Sequence, residues 1–294
     1  MSCTVCDSPR TVPAFEQGGF SLVRCCVCSH LWVDGASSAD ANYDGAYYAP
    51  DSQEAESHTG YDDYLRNLER RIGGFRGRLG QLETITGRRG RLLDFGCAVG
   101  ACVKAAKDLG WDAIGCERSI WAAEYGRRTL GVDIVVGDIG DSTILEPGSF
   151  DVVTLWDVLE HLDRPREVIA SVARLLRPGG FVALNTVNSS SIGARIAGRH
   201  WRHLAPPYHL QYFTSTSLQR LLADAGFEIV RREVKGVMFG SSREAKRLPQ
   251  PLRIIEDAVT HWRTRRIATM LNLLDEIDIT AVCRNDTSTR AIGK

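Results

Sequence analysis

The sequence predicts an α/β protein built on one doubly wound sheet, with a small cysteine-rich module at its start. From about residue 91, short apolar segments alternate with amphipathic helical segments, a pattern typical of strands that are connected by helices on both faces of a sheet. The first 28 residues contain two Cys-x2-Cys pairs. Hydrophobic residues make up 44% and charged residues 24% of the 294 residues, which excludes disordered and collagen-like classes.

Seven segments have the length and composition of strands. They are Arg91–Phe95, Trp111–Cys116, Val132–Val136, Phe150–Trp156, Phe181–Asn185, a segment from Phe227, and Asp278–Cys283. Apolar residues recur at steps of three and four between Tyr61 and Leu82, which predicts a helix that packs on another surface. Pro165 suits the first turn of a further helix.

The same patterns predict domain boundaries. We expect a zinc ribbon at 1–36, an acidic linker and packing helix at 37–87, and the sheet domain at 88–284. A basic helical insertion interrupts the sheet domain at 240–275, where it forms either a lid over the site or an interface. The last segment, 285–294, is expected to be a frayed tail.

Cys3, Cys6, Cys25 and Cys28 have the spacing of a structural zinc site. Two tight turns can each aim two sulfurs at one ion, and four thiolates form the tetrahedron that Zn²⁺ prefers. A segment of about 35 residues with few apolar side chains also needs such support to fold. A redox pair or disulfides are the alternatives, although disulfides are rare in the cytoplasm. The sequence therefore predicts one bound Zn²⁺.

The charge balance argues against a dedicated nucleic-acid-binding protein. The chain has 36 basic and 36 acidic side chains, whereas nucleic-acid binders usually carry a basic patch. No segment reaches the ~18 uncharged apolar residues of a membrane span, and the start lacks the pattern of a signal peptide. We therefore expect a cytoplasmic protein that acts on a small molecule, and the alternatives of monomer and homodimer stay open.

The turn after the first strand of the sheet has the small residues that close approach to a ligand requires. Gly96, Ala98 and Gly100 alternate after Asp94, so the backbone can turn sharply without a large side chain in the way. A dinucleotide-binding turn would read Gly-x-Gly-x-x-Gly, and Ala98 and Ala101 replace its second and third glycines. The turn alone is weak evidence for a cofactor.

Acidic residues follow the next strands in order. Glu117 ends the second strand, where a carboxylate can accept hydrogen bonds from both hydroxyls of a ribose. Asp138 follows the third strand and can receive an adenine amino group, and Asp157 follows the fourth. Because ligands bind beyond the carboxyl ends of the strands in such sheets, this ordered set predicts a nucleoside-binding site.

These residues, in this order, resemble those of the class I S-adenosylmethionine-dependent methyltransferases. The resemblance covers about 88–284 and rests on the Asp94–Gly100 turn, Glu117, Gly137-Asp138, Phe150–Val153, Leu159–Leu162, Leu176–Gly180 and Tyr208–Phe213. With the amino-terminal cysteines, the chain is similar to the zinc-ribbon subgroup that includes sugar C-methyltransferases. It departs from that pattern at Ala98, where a glycine is usual, and at Tyr208, where the subgroup has an acid. The sugar enzymes also have a further carboxyl-terminal domain, which the resemblance does not cover.

The resemblance implies a seven-stranded, doubly wound (Rossmann-like) methyltransferase sheet with S-adenosylmethionine as the methyl donor. The cofactor-binding residues that it implies are Asp94, Gly96, Cys97, Ala98, Gly100, Glu117, Arg118, Asp138, Ile139, Trp156 and Asp157. His161, just past the fourth strand, and His209, after the fifth, are candidate bases for an acceptor that arrives protonated. Tyr208 and Tyr212 could orient that acceptor. Each histidine is alternatively a helix-cap or core residue.

Three functions remain compatible with the sequence. The first is C- or O-methylation of a small molecule, either a sugar or a secondary metabolite. The second is methylation of an RNA base, with Arg10 and Arg24 of the ribbon as contacts. The third is a non-catalytic cofactor-binding protein, which only the altered glycine turn suggests.

Overall fold

The computed structural model describes residues 1–37, 64–138, 145–235, 272 and 274–284. Most of the expected insertion at 240–275 lies outside the described residues, as do most of the acidic linker and the tail at 285–294. The described residues belong to two compact units. The first comprises Met1–Ala41, Asp157–Ile169 and Leu184–Ala281, and the second comprises Asn42–Trp156, Ala170–Ala183 and Val282–Lys294.

Eleven strands and six α-helices lie in the part of the chain that the structure describes. The strands are β1 (Thr11–Gln17), β2 (Phe20–Cys25), β3 (Leu31–Val33), β4 (Arg91–Phe95), β5 (Asp112–Glu117), β6 (Ile134–Val136), β7 (Phe150–Trp156), β8 (Leu176–Val187), β9 (Gln211–Tyr212), β10 (Phe227–Lys235) and β11 (Glu276–Cys283). The helices are α1 (Leu68–Thr86), α2 (Ala101–Asp108), α3 (Ile120–Tyr125), α4 (Pro165–Leu175), α5 (Ile192–Ala197) and α6 (Ser215–Asp224).

A seven-stranded sheet with the order β10-β11-β8-β7-β4-β5-β6 confirms the predicted fold class. The sheet is mixed, but β7, β4, β5 and β6 run parallel to their neighbours in this set. Their carboxyl ends therefore lie at one edge, where the sequence places its acidic residues.

The strand expected at Phe181–Asn185 is longer than predicted. β8 already begins at Leu176, directly after α4, and it includes Arg177–Gly180, whose composition is typical of a turn. Gly180 has no Cβ, and a Cβ there would lie only 3.1 Å from the Asp151 carbonyl oxygen. Glycine at this position therefore permits close approach of the backbones at Gly180 and Asp151, in a segment whose composition is typical of a turn.

The second unit contains the helix that was expected between Tyr61 and Leu82. α1 spans Leu68–Thr86 and buries Leu68, Ile72, Leu79 and Leu82. It ends at Gly87, whose left-handed φ of 71° is typical of a helix carboxyl cap. α2 follows the turn after β4 and is largely buried. No helix among the described residues is long and apolar enough to cross a membrane.

The first unit contains a second, four-stranded sheet with the order β1-β2-β3-β9. β9 comes from the segment after β8 and pairs with β3 in antiparallel register, Leu31 with Tyr212 and Trp32 with Gln211. Its core residues come from both segments: Leu22, Leu31, Val33, Val187, Ala194, Trp201, Leu204, Leu210 and Tyr212. The cysteine-bearing hairpin therefore shares a hydrophobic core with the segment that carries His209.

Candidate active site

The turn after β4, in the second unit, has the backbone conformation of a glycine-rich loop. Gly96 and Gly100 have left-handed φ values of 67° and 84°. A Cβ at Gly100 would lie 2.8 Å from Val132 Cγ2, so a larger residue would not fit there. Ala98 keeps a left-handed φ of 49°, which costs an L-residue about 1–2 kcal/mol. The turn is therefore preserved at some strain where the family pattern has glycine.

Glu117, at the end of β5, is buried and holds this turn. Its Oε2 accepts a hydrogen bond from the Ala98 backbone N–H at 2.9 Å, and its Oε1 accepts one from Ser119 N–H at 2.9 Å. Burial raises the pKa of Glu117, and the backbone N–H donors oppose that rise. Each carboxylate oxygen has more than one acceptor position, so Glu117 can receive further donors such as ribose hydroxyls.

Asp94, at the carboxyl end of β4, is also buried. Its Oδ1 accepts a hydrogen bond of 2.6 Å from the hydroxyl of Thr154 on β7. Burial raises the pKa of Asp94 to about 7, although the Thr154 hydrogen bond acts in the opposite direction. A neighbouring cation would favour the ionised form of this carboxyl.

Trp156, the last residue of β7, is fixed from two sides within the second unit. Its indole N–H donates to Cys102 Sγ on α2 at 3.3 Å. The Arg78 guanidinium lies 4.8 Å from the centre of the Trp156 ring, and Phe75 lies 6.2 Å from it. α1 therefore contacts one of the predicted cofactor residues.

The remaining predicted cofactor residues have different environments. The Cys97 side chain is buried and occupies the space over Gly115, where a Cβ would lie 2.4 Å from Cys97 Sγ. Arg118 and Asp138 are exposed, and Ile139 lies outside the described residues. The structure thus brings Asp94, the 96–100 turn and Glu117 together.

In the first unit, Asp157 and Asn185 form a reciprocal pair. The Asp157 backbone N–H donates to Asn185 Oδ1 at 3.1 Å, and the Asn185 amide donates back to Asp157 Oδ1. Asp157 has a left-handed φ of 55°. Asp157 begins the turn that carries Glu160 and His161.

His161 and His209 lie in contact in the first unit, with ring centres 4.8 Å apart. His161 Nδ1 lies 2.8 Å from the Tyr208 carbonyl oxygen, and His209 Nδ1 lies 2.8 Å from the His203 carbonyl oxygen. Because a carbonyl can only accept, each Nδ1 carries the proton and each neutral ring has its lone pair on Nε2. Burial lowers the pKa of both histidines, which favours these neutral forms.

Glu160 completes a cluster with the two histidines. One ligand atom from each of Glu160, His161 and His209 lies within 4.8 Å of the others, so the three could also hold a cation. Glu160 is buried, and its Oε2 accepts a hydrogen bond from Thr186 at 2.8 Å. Burial, followed by the nearby charge of Asp157, raises the pKa of Glu160 well above its ordinary value.

Tyr212 has a position that differs from the expectation that it orients an acceptor. Its side chain is fully buried in the core of the four-stranded sheet, and its hydroxyl donates to the His209 carbonyl oxygen at 2.8 Å. Burial raises the pKa of Tyr212. The Tyr212 hydroxyl therefore holds the backbone at His209. Tyr208 is partly exposed, and its carbonyl oxygen accepts the hydrogen bond from His161.

Two further residues of the first unit escaped the sequence analysis. Asp275 is buried and accepts hydrogen bonds from Arg202 Nε at 2.8 Å and from His203 Nε2 at 3.1 Å. Burial would raise the pKa of Asp275, but these two partners outweigh it and leave the pKa below its usual value. The His203 ring stacks on that of His209 at 5.9 Å. No spacing in the sequence links Asp275 to residue 203.

Known proteins resemble this chain at the level of family and of fold. The profile of a family described as "Methyltransferase domain" matches residues 64–232. The chain belongs to this methyltransferase family. It is an enzyme of the S-adenosylmethionine-dependent class, as the ordered residues from Asp94 to His161 implied.

Two curated relatives of this methyltransferase are ubiquinone biosynthesis O-methyltransferases. The protein from Thiobacillus denitrificans is 30% identical over 169 residues, which cover 54% of this chain and 72% of the relative. The one from Burkholderia pseudomallei is 28% identical over 160 residues, covering 51% and 68%. A solved S-adenosylmethionine-dependent methyltransferase from Archaeoglobus fulgidus shares the fold, with a TM-score of 0.53, 18% identity, and coverage of 74% of this chain and 98% of that one.

The methyltransferase places all four predicted zinc ligands together in the first unit. The Sγ atoms of Cys3 and Cys28 lie 3.6 Å apart, as do those of Cys6 and Cys25, and all four sulfurs lie within 4.8 Å of one another. A disulfide would need a sulfur separation of about 2.05 Å, whereas tetrahedral bonds of about 2.3 Å to zinc separate sulfurs by about 3.8 Å. The sulfur positions fit a metal site better than disulfides.

Backbone N–H groups also point at these sulfurs. Val5 N–H donates to Cys3 Sγ at 3.4 Å, and Val27 N–H donates to Cys25 Sγ at 3.3 Å. Such donors stabilise thiolates. Cys26, which adjoins Cys25, is exposed.

Proposed function

We propose that this methyltransferase methylates a small molecule at an oxygen, or at a carbon that carries an acidic proton. In this proposal His161 or His209 is the general base. The observation that carries the proposal is the shared tautomer of the two histidines. Both rings donate Nδ1–H to a backbone carbonyl, so both have a basic Nε2, and one nitrogen of each ring lies within 4.8 Å of a carboxyl oxygen of the buried Glu160. A protonated acceptor such as a hydroxyl needs such a group, whereas an amine that arrives neutral does not.

The second unit supplies the proposed cofactor contacts. S-adenosylmethionine, when bound, would supply a methyl group that is already activated by its positively charged sulfur. Glu117 would accept hydrogen bonds from the ribose hydroxyls, and Asp94 would face the amino end of the cofactor. The 96–100 turn would allow close approach of its backbone, and Asp138 would receive the adenine amino group.

In the proposed reaction, the acceptor oxygen forms a bond to the methyl carbon while the carbon–sulfur bond breaks and its electron pair stays on sulfur. The acceptor proton passes to Nε2 of His161 or His209. The backbone carbonyls that bind Nδ1–H also stabilise the resulting imidazolium, because they accept from a charged donor. The protein otherwise contributes alignment of the reacting atoms.

The class of acceptor is proposed from two sources. The curated relatives are named as O-methyltransferases, which favours an oxygen acceptor. The resemblance to the zinc-ribbon subgroup favours a sugar or a secondary metabolite. An RNA base is the second candidate, although the neutral net charge does not support it.

The test is an untargeted search for the product. Purified protein and S-adenosylmethionine are incubated with small-molecule extract and, separately, with total RNA, and mass spectrometry looks for the added mass of one methylene group. We expect the gain among small molecules that carry hydroxyl groups, and its absence with the His161→Gln variant. Gain in RNA alone, lost as salt is raised, would overturn the proposal in favour of the nucleic-acid alternative.

We further propose that Cys3, Cys6, Cys25 and Cys28 hold one structural Zn²⁺, as the sulfur separations and the N–H donors support. Cys3→Ser removes a ligand, and the exposed Cys26→Ser is the matched control because it changes a neighbouring cysteine. Metal analysis of protein purified without chelator should find one zinc per chain in the wild type and in Cys26→Ser. Zinc should be lost or weakly held in Cys3→Ser, and wild-type protein without zinc would contradict the proposal.

A further inference from the structure

Gln211 is a buried side chain of the first unit that connects the cysteine ribbon to the turn after β7. It lies in β9, and its side chain is only 2% exposed. Its Nε2 lies 2.9 Å from the Leu162 carbonyl oxygen. Its Oε1 lies 2.8 Å from Thr4 Oγ1 and 2.8 Å from His30 Nε2. One amide thus contacts two ribbon side chains and the backbone next to His161.

The chemistry of these partners fixes the orientation of the amide. The Leu162 carbonyl can only accept, so the Gln211 amino group must face it. The amide oxygen then faces Thr4 and His30, and each of them must donate to it. His30 consequently carries its proton on Nε2. No other orientation of the amide satisfies all three partners.

The ribbon side of this connection depends on the ribbon being folded. Thr4 lies inside the first cysteine pair, and His30 lies two residues after the second pair. His30 is fully buried, with the Trp32 ring 6.0 Å and the Phe213 ring 4.8 Å from its own ring. If the ribbon unfolds, both donors to the Gln211 oxygen leave.

The other side of the connection fixes His161. Leu210 N–H donates to the carbonyl that precedes His161, at 2.7 Å, and the Gln211 amide donates to the carbonyl that follows it. The Tyr208 carbonyl binds the ring itself. The segment 208–211 therefore holds residues 160–162 by three hydrogen bonds, one of them to the His161 ring. Of these three, the one from Gln211 comes from a side chain and can be removed without altering the backbone.

We infer that Gln211 is a positioning residue through which the folded cysteine ribbon sets the orientation of His161. The inference rests on the proposed role of His161 in accepting a proton. Without the Gln211 amide, the Leu162 carbonyl loses its partner and the turn Leu159–His161 is held by one fewer hydrogen bond. A displacement of about 1 Å of a reacting group can cost about 10²-fold in rate.

The test compares Gln211→Met with Gln219→Met. Methionine keeps the length of the side chain and removes its polar atoms, and Gln219 is an exposed residue of α6, outside this network. Nitrogen NMR of histidine-labelled protein reports the tautomer of His161, whose signal is assigned from the His161→Gln variant. We expect Gln211→Met to shift that signal and to lower kcat about 10- to 100-fold. KM for S-adenosylmethionine and the zinc content should stay unchanged, and Gln219→Met should match the wild type.

An unchanged His161 signal in folded Gln211→Met would overturn the inference. If Gln211→Met does not fold, Thr4→Val takes its place, because it removes one ribbon-side donor from a partly exposed position. A shift in the same direction supports the inference, and an unchanged signal in Thr4→Val overturns it. A shifted signal with kcat unaffected by either Gln211→Met or His161→Gln would support the coupling and refute the proposed role of His161, so the two failures are distinguishable.

Discussion

Glu117 in the second unit and the half-buried histidines His161 and His209 in the first are held by opposite ends of the peptide group. Glu117 accepts hydrogen bonds from two backbone N–H groups, whereas His161 and His209 donate to backbone carbonyls. Burial raises the pKa of Asp94 and Glu117 and lowers that of both histidines, so it moves all four towards neutrality. Burial thus leaves a lone pair on each neutral imidazole that can accept a proton, whereas the carboxylates bind a cation or hydroxyl donors in the ionised form, which burial disfavours.

The largest expected effect is that of a substitution at His161, which tests the histidine half of this comparison. His161→Gln keeps a side chain that can donate a hydrogen bond to the Tyr208 carbonyl but removes the base. We expect kcat to fall about 10²- to 10⁴-fold, the usual contribution of a general base, while affinity for S-adenosylmethionine stays unchanged. Single-turnover kinetics and calorimetry measure the two quantities.

His200→Gln is the matched control, because His200 is exposed and lies outside the cluster. Its kcat should equal that of the wild type. An unchanged kcat in His161→Gln would move the base to His209, and a double variant at both positions would then decide whether a histidine base is used.

The second prediction tests the role of the Glu117 carboxylate. Glu117→Ala removes the proposed ribose contacts and leaves the Ala98 N–H without its acceptor. We expect S-adenosylmethionine to bind about 1.5–3 kcal/mol more weakly, the range for hydrogen bonds to a charged group. Calorimetric titration measures this loss. The exposed Glu124→Ala serves as the control, and equal affinity in both variants would place the ribose elsewhere.

The third prediction uses the pKa of Asp94, which burial raises to about 7. In the unfolded chain an aspartate titrates near about 3.9. Between these values the folded protein holds a proton that the unfolded chain lacks, so stability falls as pH rises from about 4 to 7. Asp94→Asn removes the titrating carboxyl group, so this loss of stability with rising pH should disappear. Its melting temperature should exceed that of the wild type at pH 8, and the difference should vanish near pH 4.

Binding of the cationic cofactor should show the opposite dependence at the same residue. The wild-type affinity should increase as Asp94 ionises between about pH 6 and 8, whereas the affinity of Asp94→Asn should be lower and should not follow this titration. Asp112→Asn, an exposed change on the next strand, is the control. A wild-type affinity that is flat across this range would mean that Asp94 does not face the cofactor.

Most of the sheet could be predicted from the sequence because local patterns determine it. β4 and β7 have the predicted bounds, Arg91–Phe95 and Phe150–Trp156. β8 was predicted too short because Arg177–Gly180 has the composition of a turn, and only the close approach to Asp151 makes Gly180 suitable for a strand. β9 was missed because its two residues form a strand only by pairing with β3.

The contacts of the candidate residues differ in the same way between the two units. Glu117 contacts the turn at Ala98, 19 residues earlier, and both belong to one strand–helix–strand repeat that the spacing reveals. His161 contacts the carbonyl of a residue 47 positions later, and Gln211 contacts Thr4 across 207 positions. Such contacts depend on tertiary packing and leave no periodic signal. Residue types therefore indicated the histidines, but their tautomers and their connection to the ribbon required the structure.

The smallest expected effect is that of a change at Ala98, in the strained turn that Glu117 holds. Ala98 adopts a left-handed φ of 49° between two glycines that also have positive φ, and its N–H is committed to Glu117. Ala98→Gly removes the strain but adds conformational freedom to the unfolded chain, and at a positive φ the first effect is the larger. We expect a stability gain of about 0.5–1 kcal/mol in denaturant titration. Ala101→Gly, at the first residue of α2, should instead destabilise by at least about 0.5–1 kcal/mol. If both variants destabilise the protein, the turn holds alanine at residue 98 without strain. The replacement of glycine by Ala98 would then cost the turn no stability.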